Sequence, residues 1–245
     1  MKIVCISDTH GQVIPFEDMP EGDVLIHAGD ITNNGKIYWL QQQADWFRML
    51  VDTKYEHLIC IGGNHDYVLD AFRKEKAEEH LTRLFGDNRI HYLRDSSVTL
   101  RFAGTPPIKF YGTPWVNCGD WAFSEPDNSR RRQIFNQIPG DTDVLISHGP
   151  PYSILDRSNM SGHGKGSCGD LELLGAVERV RPRLHVFGHI HESYGRADLF
   201  EGTTFVNAAS TRIKNERDAK GYLTADSGYW LGNPPIVVNL TWEGL

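Results

Sequence analysis

Short apolar runs that end in aspartate or histidine constrain the fold of this chain more than any other feature. Eight runs of strand length are rich in valine and isoleucine: residues 2–7, 23–28, 56–62, 108–111, 143–147, 184–187, 203–206 and 236–240. Short, nearly continuous apolar runs are typical of buried β-strands. The pattern therefore predicts a protein built on buried sheet.

Helical patterns lie between several of these runs. One apolar stripe recurs at spacings of three and four, which indicates an amphipathic helix: Ile37, Leu40, Ala44, Phe47 and Val51. A second helix is predicted over residues 68–84, and a third follows a candidate N-cap, Asp170, and reaches residue 180. Strands and helices alternate early and strands predominate late. This order predicts α/β layers with a mixed sheet or two packed sheets.

Length and composition restrict the class of protein. The chain has 245 residues and no repeat, low-complexity tract or linker, so we predict a single domain over residues 1–245. No apolar stretch approaches the ~20 residues of a membrane span. The first apolar run is too short for a signal peptide, and the four cysteines form no Cys-x-x-Cys pair. We therefore expect a cytoplasmic protein with reduced thiols and no membrane partner.

The charge of the chain bears on its partners. A formal net charge of −7 argues against stable binding to nucleic acid. An anionic small substrate remains compatible with this charge, because bound divalent cations reverse the local sign. Neither charge nor composition predicts an oligomeric state.

Five of the strand-like runs end in groups that can ligate a metal. The motifs are Asp8-Thr9-His10, Gly29-Asp30, Gly63-Asn64-His65-Asp66, Ser147-His148 and Gly188-His189-Ile190-His191. Each motif alone also has an ordinary explanation as a turn or a surface pair. However, loops beyond the carboxyl ends of strands converge on the ligand crevice of α/β sheets. The ordered set therefore favours one shared site.

The donor atoms of this set indicate transition metals. They comprise seven oxygen and nitrogen ligands without sulfur: Asp8, His10, Asp30, Asn64, His148, His189 and His191. Such a set suits Mn, Fe, Zn, Ni or Co, and we favour Mn. Seven ligands are too many for one such ion but suit two ions that share a carboxylate. Two divalent ions can hold a phosphoryl group and activate a bridging hydroxide for in-line attack on phosphorus.

A proton donor for the leaving group is predicted beside the ligands. His65 follows Asn64 directly and can protonate a leaving alkoxide, with Asp66 orienting its imidazole. We therefore predict His65 and Asp66 as catalytic residues. Asn64 and His65 are also the predicted contacts to the substrate.

The other histidines and several aromatic residues have mostly structural interpretations. His27 is expected in the core, whereas four others are expected at the surface or at strand edges: His57, His80, His91 and His185. The Gly-rich loop 161–168, with its histidine and lysine, is either a surface loop or a lid that contacts phosphate. Three aromatic residues either cover a core edge or line a base-sized pocket: Trp115, Trp121 and Phe123.

The ordered motifs resemble the signature of the calcineurin-like metallophosphoesterase superfamily, which reads D-x-H, G-D, G-N-H-[D/E], H and G-H-x-H. Further stretches resemble the branch of metallophosphoesterase-domain-containing proteins: residues 28–32, 147–151, 186–195 and 233–237. Some members of that branch lose a metal-site histidine, but both His189 and His191 are present here.

The resemblance implies a four-layer α/β/β/α sandwich of two mixed sheets flanked by helices. By motif, one metal would take Asp8, His10, Asp30 and His191. The other would take Asp30, Asn64, His148 and His189. The branch is associated with phosphodiester hydrolysis, including that of cyclic nucleotides, so small phosphodiesters are the expected substrates.

Two alternatives remain open from the sequence. A phosphomonoesterase or nucleotide pyrophosphatase would use the same ligands, and only the pocket walls would differ. A non-catalytic scaffold could keep the sandwich for protein binding, but it would not need the full ligand set with His65. Neither the natural substrate nor the physiological metal follows from the residues.

Overall fold

Two mixed β-sheets lie face to face at the centre of the computed structural model, which describes residues 1–72, 74–158, 166–199, 202–214 and 228–241. The first sheet comprises β1 (Lys2–Ile6), β2 (Val24–His27), β3 (His57–Cys60), β4 (Ile90–Tyr92) and β15 (Ile236–Asn239). Its order is β15-β1-β2-β3-β4. Strands β1 to β4 are parallel, and β15 is antiparallel to β1.

The second sheet comprises β5 (Ser96–Leu100), β6 (Ile108–Thr113), β7 (Val144–Ser147), β10 (Leu184–Phe187), β11 (Gly195–Leu199) and β12 (Thr203–Asn207). Its order is β11-β12-β10-β7-β6-β5, and the four central strands are parallel. The described ranges also contain two short ribbons: β8 (Arg157–Ser158) with β9 (Gly166–Ser167), and β13 (Thr211–Lys214) with β14 (Gly228–Leu231).

Helices cover the outer face of each sheet. They are α1 (Ile37–Thr53), α2 (Tyr67–Ala71), α3 (Lys74–Phe85), α4 (Asn128–Phe135) and α5 (Leu171–Val180), with 3₁₀ turns at Phe16–Asp18 and His191–Ser193. Apolar residues of α1 and α3 pack on the first sheet, and those of α4 and α5 pack on the second. The layers are therefore α/β/β/α, which confirms the predicted fold class.

Alternation along the strands divides the core into three parts. In β1, Ile3 and Cys5 face the second sheet, whereas Val4 and Ile6 face the helices. Side chains of a strand point to opposite faces, so a strand covered on both faces is apolar at most of its positions. This is the physical reason that the central strands read as continuous apolar runs.

All eight predicted strand runs are strands, with ends that differ by up to two residues. The predicted helix over 68–84 is instead two helices, α2 and α3, with Phe72 extended at the end of α2. Helix α4 and several short polar strands were not predicted. The edge strand β5 is an example: its residues alternate between half-buried and exposed positions, so they form no continuous apolar run. The expected surface position of His185 is wrong. Its side chain is fully buried, with Nε2 2.8 Å from Ser147 Oγ.

Two other expectations concern cysteines and membranes. Cys5 and Cys60 are buried free thiols, as predicted, and Cys118 is a free thiol of intermediate burial. Within the described ranges, no helix combines the length and apolar character needed to cross a membrane. The single domain over 1–245 stays a prediction.

Asp170 connects the N-terminus of α5 to the buried Arg131. Its Oδ1 accepts hydrogen bonds from the backbone N–H groups of Glu172 (2.7 Å) and Leu173 (3.2 Å), and its Oδ2 binds buried Arg131. We expect Asp170→Ala to lower the free energy of unfolding by about 3–5 kcal/mol, because it leaves a buried cation without its counter-charge. Urea unfolding measures this change.

Asp127→Ala is the matched control, since Asp127 caps α4 in the same way but is exposed and lacks the buried arginine. Its loss should be clearly smaller. Equal losses in the two variants would show that capping alone, and not the Arg131 pair, explains the contribution of Asp170.

Candidate metal centre

The carboxyl ends of five parallel strands meet at one edge of the sandwich. Strands β1, β2 and β3 of the first sheet and β7 and β10 of the second all end there. The two sheets are joined at this edge by a bridge between Ser7 and Ala209. The structure brings together all seven predicted ligands, here called the metal centre: Asp8, His10, Asp30, Asn64, His148, His189 and His191.

One group within the metal centre contains Asp8, His10 and His191. Asp8 Oδ1 lies 3.1 Å from His191 Nε2, and the Nε2 atoms of His10 and His191 are 3.4 Å apart. All three side chains are buried. Ligand atoms of the three residues lie within 4.8 Å of one another, which is close enough for one cation to contact them all.

A second group contains Asn64, His148 and His189. Asn64 Oδ1 lies 2.9 Å from His148 Nε2 and 2.8 Å from His189 Nδ1. His148 Nδ1 donates to the carbonyl oxygen of Ala28 at 3.0 Å, which directs Nε2 toward the centre. A histidine ligand is commonly oriented in this way, by a backbone acceptor on its other nitrogen.

Asp30 lies between the two groups. Its Oδ2 is 3.8 Å from His10 Nε2 in the first group and 3.4 Å from His148 Nε2 in the second. Its Oδ1 accepts a hydrogen bond from the backbone N–H of His65 at 2.8 Å. The carboxylate can thus contact both groups while it fixes the adjacent loop.

The backbone at the metal centre is held in a strained conformation. Four of the seven ligand residues have a positive φ: Asp8 (53°), His10 (48°), Asp30 (52°) and His189 (66°). Such angles are uncommon outside glycine and cluster at functional sites. Close approach also explains the motif glycine Gly188, because a Cβ at this position would overlap the Asp8 carboxylate.

The buried carboxylates and histidines of the metal centre shift one another's pKa values. Burial alone would raise the pKa of Asp8, but His191 lowers it, and His148 likewise lowers the pKa of Asp30. Burial lowers the pKa of His10 to about 3, whereas Asp30 outweighs burial at His148 and raises that pKa to about 9. A cation that binds between Asp30 and His148 must therefore displace a proton.

The loop after β3 places His65 over the metal centre. Its Nδ1 lies 2.7 Å from the carbonyl oxygen of Asn33, so Nδ1 is the donor and Nε2 faces the site. The expected contact from Asp66 to this imidazole is absent from the hydrogen bonds of the described residues. The Asp66 carboxylate instead accepts from the backbone of Ile31, Thr32 and Gly63. Asp66 thus organises the loops, and Asn33 orients His65.

Several residues at the site were missed by the sequence analysis. Thr211 Oγ1 donates to the backbone oxygen of Asp8 (2.8 Å) and lies 3.4 Å from His191 Nδ1. The Tyr229 ring stacks on His10 with centroids 3.8 Å apart. Both residues belong to the β13–β14 ribbon, which no motif or strong periodicity indicates. Only the fold brings this ribbon to the site.

A cavity of about 240 Å³ opens beside His189. Trp115 lines this cavity and also packs against the core, so its position agrees with both interpretations of the loop aromatics, whereas Phe123 is buried in the core. Asn117 and Asn128 contribute polar side chains to its walls. Residues 161–165 of the predicted lid loop lie outside the described residues.

The donor set fits divalent cations. Buried carboxylate, imidazole and amide groups converge from different strands, and the described ligand triads are Asp8/His10/His191, His10/Asp30/His65 and Asp8/Asp30/His148. His10 Nδ1 is buried without a hydrogen-bond partner among the described residues, while its Nε2 points to the other ligands. Oxygen and nitrogen donors of this kind suit first-row transition metals.

Comparisons with known proteins agree with this geometry. The family model for calcineurin-like phosphoesterases matches residues 1–193. Metallophosphoesterase domain-containing protein 1 of Homo sapiens is 36% identical over 98% of this chain and 71% of its own length. A UPF0046 protein of Caenorhabditis elegans is 34% identical over 88% of this chain and 72% of its own. In fold, the crystal structure of TT1561 of Thermus thermophilus is similar, with a TM-score of 0.55 at 12% identity, over 85% of this chain and 88% of that one.

Proposed function

The chain belongs to the calcineurin-like phosphoesterase family, and from this premise we propose that it hydrolyses small phosphodiesters with two divalent cations at the metal centre. Membership makes it a metal-dependent phosphoester hydrolase. The observation that carries the dinuclear proposal is the position of Asp30. One oxygen of this carboxylate faces both ligand groups, and the other holds the backbone of His65.

We assign the ligands to two cations from the two groups. Asp8, His10 and His191 would hold one cation, and Asn64, His148 and His189 the other, with Asp30 shared. When bound, the cations would stabilise charge on the phosphoryl oxygens and make an attacking water more acidic. Mn²⁺ is the proposed metal, and the donor types also suit Fe, Zn, Ni or Co.

The protein's own groups would then complete the reaction. A new P–O bond forms to the attacking water oxygen, and the bond from phosphorus to the leaving alcohol breaks. In the proposed role, His65 reacts as an imidazolium with both ring nitrogens protonated. It gives the proton on Nε2 to the leaving oxygen, while its Nδ1–H stays bound to the carbonyl oxygen of Asn33, and the attacking water releases one proton to solvent. Because that hydrogen bond fixes the ring plane, the imidazole needs no large reorientation to transfer the proton.

Small diesters, with cyclic nucleotides among them, are the proposed substrate class. The cavity beside His189 has room for a small organic substituent and offers amide groups to it. A phosphomonoesterase or pyrophosphatase would use the same ligands, and substrate preference separates these activities. A reducing, cytoplasmic setting is proposed from the unpaired buried thiols of Cys5 and Cys60.

A substrate screen of the metal-loaded protein tests this function. We expect Mn²⁺-reconstituted protein to hydrolyse cyclic nucleotides or linear diesters with higher kcat/KM than matched monoesters or pyrophosphates. Chelation should abolish the activity, and Mn²⁺ should restore it, because both depend on the same ligands. Measured metal content provides the internal control.

Two outcomes would contradict the proposal. A preference for monoesters or pyrophosphates would replace the diesterase by one of those hydrolases. Two bound metals per chain without turnover of any phosphoester would instead favour a non-catalytic scaffold.

A further inference from the structure

Aromatic side chains contact His65 at the edge of the metal centre. The Trp121 ring lies 4.7 Å from the His65 ring between centroids, and the Tyr229 hydroxyl lies 3.4 Å from His65 Nε2. Tyr67 continues the group, with its ring 6.1 Å from that of Trp121. None of these residues belongs to the motifs that supply the metal ligands.

The solvent exposure of these rings increases from His65 to Trp121 and Tyr67. His65 is only 9% exposed, whereas Trp121 is 43% exposed and Tyr67 is 41% exposed. The aromatic group therefore runs from the atom proposed to donate the leaving-group proton out to solvent. A single exposed tryptophan needs no special explanation, but Trp121 packs against the proposed acid and keeps much of its ring accessible beside it.

The loop that carries Trp121 is held in place beside His65. The backbone N–H of Ala122 donates to the carbonyl oxygen of Asn64 at 3.2 Å, and the neighbouring Phe123 is fully buried against Gly62. Val116 and Ser124 form a β-bridge across the base of the loop. Because these contacts fix the backbone, the indole is positioned before any ligand binds.

We propose that Trp121 and Tyr67 form a subsite for the leaving group, which takes an alcohol that carries a planar aromatic ring. This inference rests on the proposed function, since the leaving oxygen must lie near His65 Nε2. The occupant is a nucleoside or another aryl-bearing alcohol, and its ring stacks on the indole of Trp121. The Tyr229 hydroxyl, 3.4 Å from Nε2, limits the directions from which the oxygen can approach.

The test uses two diesters that differ only in the π-face of the leaving group: methyl benzyl phosphate and methyl cyclohexylmethyl phosphate. Both leaving groups are primary alcohols of similar size and acidity. We expect the metal-loaded protein to prefer the benzyl ester in kcat/KM. Trp121→Leu should reduce kcat/KM for the benzyl ester by about 5- to 100-fold, the range for loss of one aromatic stacking contact. The cyclohexylmethyl ester should change little.

Trp230→Leu is the matched control. Trp230 is 39% exposed, similar to Trp121, and follows Tyr229 in β14, so its side chain points to the other face of the ribbon. Its rates should match those of the unmodified protein for both esters. A Trp121→Leu variant that loses activity equally on the two esters would overturn the subsite, because it would show a structural effect on His65.

A binding measurement separates this inference from the proposed function. Calorimetry with methyl(2-phenylethyl)phosphinate and methyl(2-cyclohexylethyl)phosphinate, in which P–C bonds replace both ester P–O bonds, measures ring preference without turnover. The expected result is tighter binding of the phenyl compound, with the preference lost in Trp121→Leu. Equal affinities would overturn the subsite even if diesters are hydrolysed, whereas a clear preference without turnover would contradict only the proposed function.

Discussion

Asp30→Ala is expected to abolish hydrolysis and to reduce the metal content to less than two ions per chain. In the proposed centre, this carboxylate lies between the two ligand groups, and two nearby cations repel each other strongly without an anion between them. We expect kcat/KM to fall by more than about 10²-fold, since even partners outside the ligand shell cost 10–100-fold. Elemental analysis and turnover of the preferred diester measure the two effects.

Asp143→Ala is the control for this variant. Asp143 directly precedes β7, whereas His148 of the metal centre directly follows that strand. Its carboxylate accepts a hydrogen bond from the backbone N–H of Lys109, so it is a structural aspartate at the opposite end of the strand from the site. Its metal content and activity should be unchanged. An Asp30→Ala protein with full turnover would exclude the dinuclear arrangement proposed here.

His65→Asn is expected to lower kcat while leaving both metals bound. The imidazole is held by Asn33 through Nδ1, and the hydrogen bond from the His65 backbone to Asp30 does not depend on the side chain. Loss of a general acid typically costs about 10²–10⁴-fold in rate. Diesters with acidic leaving alcohols should be affected least, because they need little proton transfer. Steady-state kinetics across a series of leaving groups measures this dependence.

His80→Asn, a change at an exposed histidine of α3, should leave the kinetics unaltered. The geometry also places His65 in a triad with His10 and Asp30 that could contact a cation. Loss of metal from His65→Asn would identify His65 as a ligand and remove its assigned role as the acid.

Much of the fold was accessible from the sequence because local patterns record burial. Central strands such as β1 and β10 are covered on both faces, so most of their residues are apolar and the run is easily seen. Edge strands such as β5 and the β13–β14 ribbon bury fewer side chains and leave no such run. The break between α2 and α3 also has no local signal strong enough to predict it.

The metal-centre residues were predictable for a related reason. Each follows a buried strand, and parallel strands bring their carboxyl ends to the same edge. His27 was correctly predicted in the core, where its Nε2 pairs with Thr9 Oγ1. The burial of His185 was not predicted, because the local sequence does not show that helices and the first sheet cover both faces of β10.

Strand periodicity and motif order are local properties, so they were enough to identify the buried strands and the donor groups that follow them. The position of Asp30 between the two groups, the acceptor that orients His65 and the aromatic side chains around it depend instead on how distant segments pack. Asn33, Trp121 and Tyr229 reach His65 from separate segments, up to 164 positions away along the chain. Contacts of that kind depend on how the sheets and loops pack, which no local pattern of residues records.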